Sequence, residues 1–406
     1  MAKSPIRILF MLVTLEVICH GYLLKLMAPG IISILYFLLG TAVALYPLHF
    51  AGPDKKDGTH DLTLWKLGGF TCLLLLALNY SYDLWDSVPV DYTIADMIPI
   101  MMIMSERLLA GQEVYAIIPE IWGGMQPIYL PAMWMPFVPA AFFEFEPRFI
   151  PMLLMFFSFL VVLVAYVKKG AVKQELYVFF PASLLIISLL LIHPNFTSMS
   201  EEGIVVAYYL LLAVGIHYRR PWLFGLAISL CLMSRYALIG WLVMYSLYML
   251  IFSGKREIIS TGFYTLFFTL LWLIMGKSLF NFDVFIEVPS NYMEAIRTMP
   301  DKYEPLIQNS LGLAKFVKYD NLGAFNHFFQ AGVWLVPLSL LAYCWMRRNR
   351  LNMALFGLCS LKLSLVFFYN FLIMPYLYLF YTSTFLSLAI YIYYTRRDTD
   401  QSLSSV

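Results

Sequence analysis

Apolar runs recur along the whole chain, interrupted by short polar segments. Runs long enough to form membrane-crossing helices cover residues 7–27, 31–49, 67–82, 149–167, 174–192, 199–216, 258–278, 327–345, 351–369 and 372–394. A span needs roughly 20 apolar residues, fewer where a helix is broken or walled by protein. Two regions fit the pattern less simply. Residues 127–143 carry Pro127, Pro131, Pro136 and Pro139, and the apolar stretch 221–252 is broken by Ser234-Arg235-Tyr236.

Charge placement resolves both. The basic loops are Lys55-Lys56, Lys168-Lys169 with Lys173, Arg219-Arg220, Lys255-Arg256, Arg347-Arg348 with Arg350, and Arg396-Arg397. Short basic loops stay cytoplasmic. All six fall on one side if 127–143 enters and leaves the outer face without crossing while 221–233 and 236–252 cross separately. The predicted fold is therefore an all-α polytopic membrane protein, one domain over 1–406, with about twelve transmembrane helices and both termini inside. Its weak point is 221–233, too short for an ordinary span unless the surroundings are thinned or protein-walled. The outer face receives a first loop (83–148), the segment 193–203, Arg235 and a second large loop (279–326).

Composition agrees: 61% of the 406 residues are hydrophobic and 13% charged. The 28 Tyr and 33 Phe suit helix ends at lipid headgroups and the walls of polar cavities. The first run contains Glu16 and His20 and lacks a small-residue cleavage site, so it reads as a retained helix. All five cysteines sit inside apolar runs and read as packing residues. No P-loop, dinucleotide turn or internal repeat is present, and the inner loops are too brief for a nucleotide-binding domain. The net charge of +2 says little by itself; no nucleic-acid partner is expected, and nothing sets an oligomeric state.

Acid is concentrated in the first outer loop, where Asp83, Asp86, Asp91 and Asp96 fall within fourteen positions. Asp83 and Asp86 read as solvating the end of the third span. Residues 95–111 form a methionine-rich segment that predicts an interfacial helix ending at Gly111. The next stretch, "GQEVYAIIPEIWGGMQPIYLPAMWMPFVP", mixes aromatic, Gly and Pro residues and predicts a re-entrant or surface-hugging wall.

"VDYTIAD", "ERLLAGQEVY" and "QPIYLPAMWMPFVP" together resemble the first outer loop of GT-C glycosyltransferases. The resemblance is strong over about residues 83–140 and architectural beyond, with weaker echoes in "IQNSLG" and "SRYALIGWLVMY". It implies an enzyme that takes a sugar from a polyprenyl-phosphate donor and passes it to a lipid-linked or glycan acceptor on the non-cytoplasmic face, in a bacterial inner membrane. Mannosyltransferases of this group have an Asp-X-Asp-Tyr sequence here. This chain keeps Asp91-Tyr92 and has Pro89 at the first acidic position, so a divalent cation is allowed and no cofactor is demanded. Asp91 is the first candidate for the general base, and Asp96, whose spacing to Gly111 resembles that of related loops, is the second. Asp96 also reads as a helix N-terminal carboxylate. Arg235 and His327 are the candidates for the donor phosphate; Tyr92, Tyr115, Gln126 and Tyr129 for substrate. Glu201 and Glu202 open a helix and read as caps favoured by its dipole.

Two rival functions remain open. Glu16 and His20, four residues apart on one helix face, with Lys277 and Lys362 near apolar runs, fit a lipid or solute transporter. A noncatalytic subunit with a GT-C-like fold would tolerate loss of Asp91.

Overall fold

A computed structural model describes residues 5–50, 64–121, 124–167, 175–252, 254–279, 281, 285–286, 293–346 and 352–395. The basic pairs at 55–56, 168–169, 347–348 and 396–397, with Lys173 and Arg350, fall outside these residues, as does part of the second large loop. Among the described residues all regular structure is helical. It comprises α1 (Pro5–Gly21), α2 (Pro29–His49), α3 (Leu64–Trp85), α4 (Met97–Leu109), α5 (Pro131–Trp134), α6 (Val138–Phe143), α7 (Phe149–Val167), α8 (Glu175–Ile187), α9 (Pro194–Met199), α10 (Glu202–Tyr218), α11 (Pro221–Leu232), α12 (Ile239–Phe252), α13 (Lys255–Met275), α14 (Pro300–Asn309), α15 (Leu322–Met346), α16 (Met353–Phe371) and α17 (Leu379–Thr395). Proline at a first helical position, where its missing N–H costs nothing, opens α2, α5, α9, α11 and α14.

Four helices are long and apolar enough to cross a membrane: α2, α13, α15 with its preceding turn, and α16. Shorter apolar helices accompany them, including α7, α10, α11 and α12. α10 and α17 are buried along almost their whole length, as is α16. A helix apolar on every side belongs at the centre of a bundle, and α10 packs on α7, α11 and α17 while α16 packs on α2, α15 and α17. α13 instead exposes Ile259, Phe263, Leu266, Phe267 and Ile274, the surface expected of a helix facing lipid. Close approach is permitted by small residues, as at Gly240, where any Cβ would strike the Val333 carbonyl.

Residues 127–143 do not form one continuous helix. α5 and α6 flank a single 3-10 turn, Met135–Phe137, in keeping with the four prolines. The break at 233–235 is present between α11 and a 3-10 turn at Tyr236. One predicted span is too long at its start: residues 372–378 are irregular and α17 begins at Leu379. Pro375 explains it, because proline supplies no N–H and drives the residue before it to extended backbone.

The polar segments meet at one end of the bundle. Trp85 donates to the Thr197 carbonyl (3.0 Å), the Ala132 N–H to the Met233 carbonyl (3.1 Å), and Tyr236 to the Phe285 carbonyl (3.0 Å). Met97 accepts from Tyr378, and Gly312 lies against Pro375. At the opposite end, Arg219 pairs with Glu257, Asn352 caps α16 and takes the Tyr393 hydroxyl, and Tyr343 meets His49.

Candidate functional site

Arg235 lies where the chain passes between two short helices, and its extended backbone projects the side chain toward the start of α10. Its Nη2 donates to Glu201 (2.9 Å) and Glu202 (2.7 Å). Thr382, in the first turn of α17, donates to the other oxygen of Glu202 (2.7 Å). Glu201 and Glu202 are essentially inaccessible, whereas a quarter of the Arg235 side chain is exposed. The two glutamates therefore do more than cap: Glu201 sits at the N-cap position of α10 without a side-chain capping bond, and both carboxylates are turned onto the guanidinium. That arrangement follows from the cost of an unpaired charge at this depth. It leaves two atoms over, because Glu201 Oε2 and Arg235 Nε are buried with no hydrogen-bond partner among the described residues.

Electrostatics place more groups at this cluster. Burial pushes the Glu201 carboxyl above its ordinary range, Arg235 opposes the shift, and Asp96 adds to it. Burial would lower Arg235, but Glu202 and Glu201 outweigh it and hold the guanidinium charged. The Tyr129 phenol is pushed up by burial and by the charges of Glu201 and Asp96, and the charges of Asp96 and Glu201 also act on Tyr376. Tyr378 is raised by burial and Glu201, and Tyr303 acts on Tyr376. Asp96, Tyr129, Glu201, Arg235, Tyr303, Tyr376 and Tyr378 thus form one neighbourhood drawn from six separate stretches of chain.

The candidates from the sequence divide accordingly. Asp96 occupies the N-cap position of α4, makes no capping side-chain bond, and faces the cluster. Asp91 is held in a local turn, its Oδ1 accepting from the Thr93 N–H (2.8 Å), and lines a shallow crevice with Pro89, Ser198 and Met199. Tyr129 joins the cluster, but Tyr115 is buried under the Pro-aromatic wall, donating to the Tyr129 carbonyl (3.2 Å) and accepting from Trp134 (3.1 Å). Gln126 is spent on the Tyr115 carbonyl (2.5 Å). Both hold the wall in shape. Tyr92 is exposed. His327 is exposed and lies within α15, five residues past its start, without a side-chain hydrogen bond or ion pair among the described residues.

The membrane-buried ions also divide. Lys362 donates to Glu16 (2.5 Å), the Ser383 hydroxyl (2.7 Å) and the Ser383 carbonyl (2.9 Å), and Ser387 donates to the other Glu16 oxygen (2.7 Å). His20, one turn on from Glu16, instead meets the Leu377 carbonyl (3.2 Å) and stacks near His193. Lys277 is exposed just past the end of α13. Four cysteines are buried and Cys72 faces outward.

Sequence reasoning missed five participants, Tyr303 among them. Thr382, Tyr376 and Tyr378 were hidden inside a run read as one helix, although Pro375 marked the break. Arg148 was overlooked: it is buried, pairs with Glu146 (2.7 Å), donates to the Val88 carbonyl (2.5 Å) and lies over Trp85. It thereby anchors the acidic stretch to the bundle.

Among the described residues no group of three His, Cys, Asp or Glu side chains is spaced to hold a metal ion, so the divalent cation that the resemblance allows finds no such ligand set there. Comparison with known proteins finds no matching family model, no matching curated protein and no matching solved structure.

Proposed function

We propose that the chain is a membrane glycosyltransferase of the GT-C kind, with about twelve spans, moving a sugar from a polyprenyl-phosphate donor to a lipid-linked or glycan acceptor on the non-cytoplasmic face of a bacterial inner membrane. What supports the reading is the convergence of Asp96, Tyr129, Glu201 and Arg235 at one end of the bundle. The chemistry requires one group to take the acceptor proton and another to steady the departing phosphate.

In this reading Asp96 is the base, ahead of Asp91, because its charge acts on Tyr129 and on Glu201, the partner of Arg235. Asp96 accepts the acceptor hydroxyl proton as that oxygen bonds to the anomeric carbon. The bond from the anomeric carbon to the phosphate oxygen breaks, and the phosphate leaves with its electron pair. Arg235, a quarter of whose side chain is exposed, receives it in a charge-assisted contact. Glu201 and Glu202 hold the guanidinium in place. His327 has no place in this scheme unless donor binding brings it to the phosphate.

The test is transfer in nanodiscs with synthetic polyprenyl-phosphate sugars and a panel of lipid acceptors. Asp96→Asn is expected to lower kcat by about a hundredfold or more, and Arg235→Met by a similar factor. Loss on Asp91→Asn with Asp96→Asn active moves the base to Asp91. Solute movement across vesicles without any transfer by wild-type protein replaces the enzyme with a transporter, and inactivity in both assays points to the noncatalytic subunit.

A further inference from the structure

The outward face of α13 has no part in the transfer chemistry. α13 is the least buried of the four long apolar helices, and its outer stripe repeats at helical spacing, with Phe263, Phe267, Leu270 and Ile274 all exposed. Toward the start of the helix the same stripe turns polar, where Arg256 and Ser260 stand one turn apart. The surface there is concave: a groove of about 600 Å³ is lined by Arg256, Ile259, Ser260, Phe263 and Tyr264. One wall of it is fixed, since Tyr264 sits so close to α11 that any Cβ at Gly225 would strike it.

The groove lies at the end of the bundle away from Arg235, beside the Arg219–Glu257 pair. That pair consumes the charge of Glu257. Arg220, Lys255 and Arg256 are exposed, and none of their side chains has an ion pair or hydrogen bond among the described residues. A guanidinium and a serine hydroxyl are both donors suited to phosphate oxygens. Along the helix axis the stripe from Arg256 to Ile274 runs about 27 Å at the ordinary helical rise, close to the thickness of a hydrocarbon layer. A phosphate at Arg256 would therefore stand at the membrane surface, with the exposed rings of Phe263 and Phe267 below it at the depth of acyl chains. Charge selects among lipids: a zwitterionic headgroup brings its own ammonium against three uncompensated cations, and an anionic one brings none.

We propose that this groove is a binding site for one anionic phospholipid, its phosphodiester held by Arg256 and Ser260 and one acyl chain laid along Ile259, Phe263 and Phe267. The site is at the opposite end of the molecule from the transfer chemistry and stands whether or not the chain is a transferase.

The experiment is native mass spectrometry of the full chain released from detergent micelles, titrated with dioleoylphosphatidylglycerol or dioleoylphosphatidylcholine. The first phosphatidylglycerol should bind about fivefold or more tightly than phosphatidylcholine. Arg256→Ala should abolish that preference, whereas Lys277→Gln, which removes one exposed positive charge just past the far end of the same helix, should leave it intact. Phe263→Ala should weaken both lipids by about threefold to fivefold. Arg256, Phe263 and Lys277 are all exposed, so the unfolding midpoints of these variants should match the wild type. Inorganic phosphate at the lipid concentration should displace nothing. Equal affinity for the two lipids, a preference that survives Arg256→Ala, or equal loss in Arg256→Ala and Lys277→Gln overturns the proposal. Displacement by inorganic phosphate overturns the lipid as occupant, and a dimer that Phe263→Glu dissolves gives the face to a second copy of the chain instead.

Discussion

Two of the buried ionic clusters among the described residues, around Glu16 with Lys362 and around Arg235, are built differently. Around Glu16 and Lys362 every strong donor and acceptor is matched: three donors of the ammonium go to three acceptors, and both carboxylate oxygens are taken, with no side-chain exposure at either residue. Around Arg235 one guanidinium serves two carboxylates, two atoms are left over, and a quarter of the cation is reachable from outside. A closed set has nothing to offer a ligand, so its work is to lock α1, α16 and α17 together. An open set stores unmet hydrogen bonding, and that is the property of a site. The transporter reading drew on the first cluster because charge inside a membrane is so often functional; the completeness of its hydrogen bonding argues instead for a structural clasp.

The contrast is sharpest where one partner is deleted. Lys362→Ala leaves Glu16 charged without its counter-ion, only Ser387 still donating to it, and should cost about 3–5 kcal/mol, read as a large drop in the midpoint of thermal unfolding in detergent. The double change Glu16→Gln with Lys362→Met should recover much of this, since replacing a whole buried pair by neutral groups is often near-neutral. Failure of the double variant to recover would mean that the pair does more than clasp. Thr382→Val removes one donor from Glu202 and should cost about 1–2 kcal/mol in the same assay.

A pH series separates the clusters without removing a side chain from the clasp. Burial holds Glu201 above its ordinary 4.5, so the folded state retains its proton to higher pH than the unfolded chain does. Its contribution is fully present below the unfolded value and is lost as pH rises through the folded one. Unfolding midpoints should therefore decline with rising pH over that window, with Glu202, raised to about 7, acting in the same direction, and the decline should become shallower in Glu201→Gln. An identical slope in both proteins would remove Glu201 as its source. The smallest effect belongs to the opposite end: Glu257→Gln breaks a partly exposed pair with Arg219 and should change stability by less than about 1 kcal/mol.

Most helices were legible from apolar run length alone. Residues 149–167 coincide with α7, the prolines of 127–143 accompany two short helices about a 3-10 turn, and the interruption at Arg235 is a break between helices. What stayed hidden depends on distance along the chain. Glu16 meets Lys362 across 346 positions and Glu202 meets Thr382 across 180, and no local pattern announces such partners. His20 shows the converse: four-residue spacing placed it on the face of Glu16, but packing turned it to the Leu377 carbonyl. At Tyr376 the local signal existed, and the high hydrophobicity of 372–394 masked the proline that carried it.

The Ala132 N–H bond to the Met233 carbonyl, reinforced where the Tyr208 hydroxyl reaches the Ala132 carbonyl (2.8 Å), has a mechanical consequence. The Pro-aromatic wall and the turn bearing Arg235 cannot part without breaking buried backbone hydrogen bonding, so they move as a single rigid jamb. Any opening at this end would then come from the other side, where residues 293–325 share a small second core with Ile373 and Met374, and it would leave the cation and its glutamates standing still.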